Sequence, residues 1–239
     1  MSETRRVTQC PAFVLHRRPY RETSLIVDLF TRDHGRVAAV ARGGRGPRSA
    51  FRGALEPFQP VLAGWVARSE LGTLTGAERA GAACAPSGAD VFSGFYLNEL
   101  VLRLLRKEDP HPALFDSYHG ALLAISAGDG LERALRVFEK RLLEELGYGL
   151  NVSVDVATGE PVTAAGRYRY HLESGPEAAA PGDDSGLVLT GASLLSLHEE
   201  RLDDADSLRD ARRLLRAALA LYLDGKPLKV RDVVRAMRR

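Results

Sequence analysis

The hydrophobic pattern of this chain changes near residue 85 from the two-residue period of β-strands to the 3.6-residue period of α-helices. Before the change, short runs rich in β-branched and aromatic residues alternate with turn residues such as Pro19 and Gly35. The predicted strands lie in "AFVLHRR", "TSLIVDLFT", "GRVAAVARG", "PFQPVLAGWVAR" and "SELGTLTGAE". Five short strands within residues 1–80 predict a small β-barrel, for which the OB-fold is the commonest architecture and an SH3-like barrel is a rival.

After a junction of small residues at 80–90, the pattern predicts a mainly α-helical domain. Its helices are expected in "VFSGFYLNELVLRLLRKE", "ALFDSYHGALLAIS", "LERALRVFEKRLLEELG", "LRDARRLLRAALALYLDG" and "VRDVVRAMRR", with Ser207 as the cap of the fourth. Residues 151–190 are polar and glycine-rich, which predicts an insertion of loops and short strands. The predicted class is therefore α+β, with an OB-fold domain at 1–80 and a helical domain at 81–239.

The formal charge of this 239-residue chain is distributed unevenly along the sequence. Residues 1–80 contain thirteen arginines against seven carboxylates, so they carry +6, whereas the remainder carries −4 and the whole chain +2. All the basic residues of the first part are arginines, whose planar guanidinium suits forked contacts with phosphate. A basic first third predicts a module that binds a polyanion.

Several function classes find no support in the sequence. The sequence contains no apolar run of about eighteen residues, so no membrane span is predicted. The start, "MSETRRVTQC", is too polar for a signal peptide. Two cysteines, Cys10 and Cys84, cannot form a disulfide scaffold and are typical of the reducing cytoplasm. The six histidines are scattered, and no catalytic motif or metal-ligand spacing occurs. We therefore expect neither an enzyme, such as a nuclease or an NTPase, nor a metal or other cofactor.

The segment "VARGGRGPRSAFRG" at 40–53 contains four arginines and four glycines without one acid. A phosphate-binding P-loop would need Gly-Lys-Ser/Thr at the start of a helix, but Pro47 and Arg48 occupy those positions before a predicted strand. A disordered Arg-Gly-Gly tract would be longer and repetitive. The remaining interpretation is a basic loop between two strands, in which glycines allow close approach to a phosphate chain that arginines neutralise.

A second basic segment, "HRRPYRE" at 16–22, has the same composition and is expected at the turn between the first two strands. OB-folds bind single strands with basic grooves and aromatic platforms. For Phe51 the sequence leaves stacking on a base and capping of the barrel core equally open, whereas Tyr20 in its basic turn favours stacking. The predicted DNA-binding residues are Arg17, Arg18, Tyr20, Arg36, Arg42, Arg45, Arg48, Phe51 and Arg52.

Two helical segments carry basic stripes. Arg209, Arg212, Arg213 and Arg216 follow helical spacing, interrupted by Asp210, and predict a docking site for an acidic peptide. On the earlier helix, glutamates dilute the basic residues at 133, 136 and 140, which favours a solvated face with local ion pairs.

Six blocks occur in order along nearly the whole chain: "AFVLHRRPYRETSLIVDLFTRDHGRV", "ARGGRGPRS", "GALEPFQP", "FYLNELVLRLL", "FEKRLLEELGYGLN" and "YLDGKPLKVRDVVR". In combination they resemble the RecO family of bacterial recombination mediators. The resemblance implies an OB-fold followed by a helical domain, without enzymatic turnover. Many members carry a four-cysteine zinc site after the segment that here reads "LGYGLN". Residues 151–190 contain no cysteine, so the chain resembles the zinc-free members.

The resemblance also implies partners and a role. It implies binding to single- and double-stranded DNA, annealing of complementary strands, and contact with the acidic carboxyl-terminal tail of single-strand binding protein. With RecR, such a protein would help to load RecA in the RecF pathway, in the bacterial cytoplasm at the nucleoid and not at a membrane. The alternative is a generic OB-fold scaffold that binds RNA or single-stranded DNA without a mediator role.

Overall fold

The computed structural model describes residues 4–223 and 228–230 and divides into two compact units. The first unit contains the chain up to Asp129 together with the segment from Pro227 onward, and the second spans Gly130–Lys226. A five-stranded closed barrel precedes five helices and a small three-stranded sheet within the described residues, which confirms the predicted α+β class. None of the helices described is long and apolar enough to cross a membrane.

The barrel is formed by β1 (Arg5–Tyr20), β2 (Ser24–Thr31), β3 (Gly35–Ala41), β4 (Pro60–Ala67) and β5 (Leu71–Arg79). The strands close in the order β1-β2-β3-β5-β4, with β3 and β5 parallel and the other pairs antiparallel. The 16-residue β1 closes the barrel because its first half pairs with β4 and its second half with β2. This arrangement agrees with the predicted OB-fold.

The strand alternation places one face of each strand inside the barrel. Leu25, Val27 and Leu29 of β2 all lie in the core, as their spacing predicts. They pack with Trp65 of β4, whose ring is fully buried. In β1 the simple alternation fails at a register shift between Val14 and His16, because a β-bulge moves the following side chains to other faces.

Strand β1 also extends further than the turn residues suggest. Arg17 and Arg18 pair with Val27 and Ile26 of β2, so they lie in a strand and not in the predicted turn, which is reduced to residues 21–23. Pro19 is tolerated there because the pairing of β1 with β4 ends at Phe13, which leaves one edge of this part of β1 without a partner strand.

Helices α1 (Val91–Leu104) and α2 (Pro112–Ala127) cover part of the outer surface of the barrel. Phe115 packs against the rings of Phe13 and Phe30, with ring centroids 5.5 and 5.4 Å apart. Beneath it, Asn98 of α1 donates to the Leu15 carbonyl at 2.9 Å and accepts from the Tyr118 hydroxyl at 2.5 Å. The helices thus cover part of the outward face of β1 and β2.

The second unit contains α3 (Leu131–Glu145), α4 (Gly191–His198), α5 (Ala205–Tyr222) and a sheet of β6 (Arg167–His171), β7 (Gly175–Ala178) and β8 (Val188–Thr190). The sheet lies in the predicted insertion and has the order β7-β6-β8. Helix α4 is absent from the sequence prediction. The cap of α5 is Asp204, whose carboxylate accepts from the Ser207 amide at 2.8 Å, so the assignment of the cap to Ser207 is wrong. Ser207 itself is buried and donates its hydroxyl to Asp204.

Two polar side chains organise the start of the insertion. The buried Asp155 carboxylate accepts from the backbone amides of Ala157 at 2.8 Å, Thr158 at 3.3 Å and Ala178 at 3.0 Å. Asn151 accepts from the amides of two following residues and donates to the Val154 carbonyl at 2.8 Å. These bonds close the turns that lead into the sheet, and no cluster of metal-ligating side chains occurs in the residues that the structure describes.

A short segment near the carboxyl terminus belongs to the first unit. Leu228 is buried, and the backbone amides of Lys229 and Val230 both donate to the Glu99 carboxylate of α1, at 2.8 and 3.0 Å. The carboxylate therefore satisfies two amides at the start of a helical turn. The last helix predicted from the sequence lies largely outside the described residues.

Candidate nucleic-acid interface

The basic segment 40–53 begins at the end of β3 and continues as a series of tight turns toward β4. Amide-to-carbonyl bonds three residues apart join Gly46 to Gly43, Ser49 to Gly46 and Arg52 to Ser49, at 3.0, 3.0 and 3.3 Å. Gly43 adopts a φ of +68°, which favours glycine. No helix follows these turns before β4, so the segment is a loop between strands and does not have the geometry of a P-loop.

Arg45 joins this loop to the turn between β1 and β2. Its backbone amide donates to the Thr23 carbonyl at 2.9 Å, and its guanidinium donates to the Glu22 carbonyl at 3.2 Å. The two basic segments that the sequence singles out separately are thus held together at one end of the barrel. We call this joined surface, residues 17–23 and 42–53, the basic end.

All seven arginines of the basic end are exposed, and four of them differ from the rest in their lack of partners: Arg18, Arg42, Arg48 and Arg52. Within the described part of the chain, none of these four guanidinium groups forms an ion pair or a side-chain hydrogen bond. An exposed arginine without a protein partner keeps its five N–H donors available to a phosphate. These four residues are therefore free to contact a polyanion, as is the exposed Arg21, whose guanidinium contacts the Tyr20 ring.

Arg17 differs from its neighbours because its guanidinium is already hydrogen-bonded to a carboxylate. Both its terminal nitrogens donate to Glu56, at 2.7 and 2.6 Å, and one also donates to the Leu55 carbonyl at 3.2 Å. Glu56 is the single acid between residues 34 and 69, and nothing in the sequence predicts that it pairs with Arg17. A phosphate would have to displace Glu56 to reach this fork.

Arg36 lies away from the basic end. It is at the start of β3, six residues before Arg42, which corresponds to roughly 20 Å along a strand. It is half-buried, and burial lowers the pKa of its guanidinium despite the nearby Asp28 carboxylate. The structure therefore does not bring Arg36 together with the other predicted DNA-binding residues.

The two predicted aromatic residues occupy different environments. Phe51 is 8% exposed and packs in the barrel core. Of the two roles left open by the sequence, this position agrees with capping of the core and not with stacking on a base. Tyr20 is half-buried at the end of β1, with the guanidinium of Arg21 at 5.2 Å from its ring centroid. Arg21, with a φ of +54°, is a site residue that the predicted set leaves out.

The basic stripe on α5 is more strongly paired than its spacing suggests. Arg209 donates to Asp206 at 2.6 Å, and Arg213 lies 3.4 Å from Asp210 and donates to the Val188 carbonyl at 3.0 Å. Arg212 lies 3.8 Å from Glu132 of α3. Arg216 is exposed and has no ionic partner among the described residues. Of the four predicted peptide-binding residues, Arg216 is therefore the most available.

The basic residues of α3 are structural. Arg133 donates to the carbonyls of Glu200 and Arg201, and the Glu200 carboxylate accepts from Lys140 at 3.1 Å and Arg141 at 2.5 Å. Burial alone would raise the pKa of Glu200, but the hydrogen bonds from Arg141 and Lys140 outweigh it and hold the pKa below its usual range. These contacts connect α3 to the segment between α4 and α5.

Comparisons with known proteins cover nearly the whole chain. The family model for the N-terminal part of recombination protein O matches residues 1–82, and the model for its C-terminal part matches 87–232. A DNA repair protein RecO from Alkalilimnicola ehrlichii is 54% identical over 98% of this chain and 93% of its own length. Those from Methylococcus capsulatus and Aromatoleum aromaticum are 43% and 44% identical, over 94% and 99% of this chain and 92% and 99% of their own lengths.

Proposed function

The chain belongs to the RecO family of DNA repair proteins, and from that membership we propose that it is a non-enzymatic mediator that binds DNA at the basic end. In this proposal the barrel binds single-stranded and double-stranded DNA and anneals complementary strands. The second unit holds the tail of single-strand binding protein, and RecR joins the complex to promote loading of RecA.

One observation carries the DNA-binding part of the proposal. Arg45 ties the loop after β3 to the turn after β1, so that four unpaired arginines converge on one surface that contains few acids. Charge of one sign, held on a fixed backbone, supplies the sequence-independent attraction that phosphate chains require. Glycines between the arginines allow the backbone itself to approach a phosphate.

An annealing assay tests the mediator role. We expect the protein to anneal complementary oligonucleotides that are coated with single-strand binding protein, and to lose most of this activity when the coating protein lacks its acidic tail. Naked strands, which carry no coating protein, serve as the control, and the protein should anneal them. Equal annealing on both coated substrates would contradict the tail-dependent part, and failure to anneal naked strands would contradict the annealing part.

The proposed tail-binding surface lies at the end of α5. Tyr222 stacks on Tyr148, with ring centroids 3.8 Å apart, and the adjacent Leu221 is 51% exposed. Arg216 lies between one and two turns before these residues on the same helix. At about 100° per residue, Arg216 lies roughly 120–140° around the helix axis from these two residues. A peptide that is acidic and ends in an apolar residue would therefore contact the cation and the apolar groups on different faces of α5.

A peptide titration tests this surface. We expect Arg216→Glu to weaken binding of a fluorescent peptide with the acidic tail sequence by at least about tenfold, because an attraction becomes a repulsion. The matched control is Arg201→Glu, which reverses an exposed charge in the same unit at a residue that is already paired with Glu199 at 2.5 Å. The same affinity for both variants would exclude Arg216 from the site.

A further inference from the structure

A concavity of about 520 Å³ lies between the turn after β1 and the loop after β3. Tyr20, Arg21, Thr23 and Ser24 form one wall, and Arg42 lies on the wall that belongs to the loop. Thr73 of β5 also lines it, although β5 contains no residue that the sequence singles out. The residues that line this concavity include no aspartate or glutamate.

Three hydroxyl groups in the concavity have no partner within the protein. Among the residues that the structure describes, the side chains of Thr23, Ser24 and Thr73 neither donate nor accept a hydrogen bond. Each hydroxyl can donate one bond and accept two, so together they can match donors or acceptors on a ligand. Their combination with an aromatic ring and two arginines suits a ligand that is planar, polar at its edge and attached to an anion.

We propose that this concavity binds one unstacked base of single-stranded DNA. The inference rests on the proposed function and identifies the part of the basic end that distinguishes single strands from duplexes. The base stacks on the ring of Tyr20 and presents its edge to the hydroxyls, while the adjoining phosphate contacts Arg42 or Arg21. In a duplex, the bases are paired and stacked inside, so filling the concavity would require the unfavourable extrusion of a base.

The hydroxyls also indicate that this site does not select one particular base. Since a hydroxyl serves as donor or acceptor, the same three groups can satisfy the edge of any of the four bases. The arginines contact phosphate, which is identical along the chain. The site should therefore prefer strands that carry bases over strands that lack them, with little preference among base sequences.

The test compares two oligonucleotides of equal length, a thymidine 20-mer and a 20-mer of abasic nucleotides, which have the same phosphates. We expect the full-length protein to bind the thymidine oligonucleotide about tenfold more tightly, in line with one stacked base. Thr73→Phe should fill the concavity and lower the affinity for this oligonucleotide about tenfold, without changing that for the abasic one. Thr75→Phe is the matched control, because Thr75 is exposed on the same strand and does not line the concavity.

The outcomes separate the two levels of the proposal. Equal affinity of the unmodified protein for both oligonucleotides, with steep salt dependence, would overturn the base site and leave the phosphate contacts intact. A protein that bound neither oligonucleotide would overturn the proposed function itself. If Thr73→Phe lowers the melting temperature, Tyr20→Leu provides the same readout by removing the stacking ring. Equal losses on both oligonucleotides in a folded variant would also overturn the base site.

Discussion

Replacing Arg42, Arg48 and Arg52 together by alanine should make the DNA affinity of this protein much less sensitive to salt. Each lost phosphate contact on a single strand reduces the slope of log affinity against log salt by about 0.7, so the slope should fall by about 2. If the two affinities converge near 1 M salt, this slope corresponds to a loss of roughly 100-fold at 0.1 M. Fluorescence anisotropy of a labelled oligonucleotide at several salt concentrations measures both quantities.

The control is a triple variant with the same change in net charge elsewhere on the first unit. Arg6, Arg68 and Arg106 are exposed and lie in sequence next to strand ends or helix ends outside the basic end. Replacing them by alanine should leave the slope nearly unchanged. An equal reduction in both triple variants would show that net charge controls binding, and would contradict the assignment to the basic end. Arg45 is kept in both variants, because its removal would break the guanidinium bond that helps to hold the loop to the turn after β1.

Arg136→Met should be among the most destabilising single substitutions in the second unit. The guanidinium of Arg136 donates to Glu139 at 2.8 Å, and the side chains are only 10% and 1% exposed. Removing the cation deprives the buried Glu139 carboxylate of this ion pair, and breaking a buried ion pair costs up to about 3–5 kcal/mol of unfolding free energy. Chemical denaturation, followed by circular dichroism, should show the corresponding decrease in the denaturant midpoint.

Two further variants separate burial from charge. The double variant Arg136→Met, Glu139→Leu removes both charges and should recover most of the lost stability, since an apolar pair can replace a buried ion pair. Arg141→Met, on the same helix, removes an ion pair with Glu200 that is 46% and 20% exposed, and it should cost less than the buried pair, about 1 kcal/mol. A similar cost for Arg136→Met and Arg141→Met would show that the buried pair contributes no more than a surface pair.

Alternation and turn residues were sufficient to predict the barrel, because one buried face fixes the register of each strand. Leu25, Val27 and Leu29 enter the core as their spacing requires. Helix α4 escaped prediction because its eight residues, "GASLLSLH", are too short to show a helical period. The cap of α5 was displaced by three residues because Asp204 and Ser207 both have side chains suited to capping.

The composition of the candidate interface was also predictable, whereas its pairing was not. Exposed arginines in a glycine-rich loop follow from the sequence alone, but the bond from Arg17 to Glu56 joins residues 39 positions apart. The same holds for Thr73, which reaches the concavity only because β5 pairs with the end of β3. Contacts of this kind depend on the closure of the barrel, and local periodicity carries no information about them.

The turns around Asn151 and Asp155 are closed by hydrogen bonds, and this determines which conditions can unfold the insertion. Where zinc and four thiolates hold such a segment, a chelator or an oxidant can release the metal and unfold it. In this chain, residues 151–190 contain no cysteine, and the turns at the start of the segment are closed by an amide and a carboxylate, neither of which oxidants readily attack. The folding of this segment therefore depends on point mutations and not on metal supply or redox conditions, since a single substitution at Asp155 would remove three hydrogen bonds to backbone amides at once.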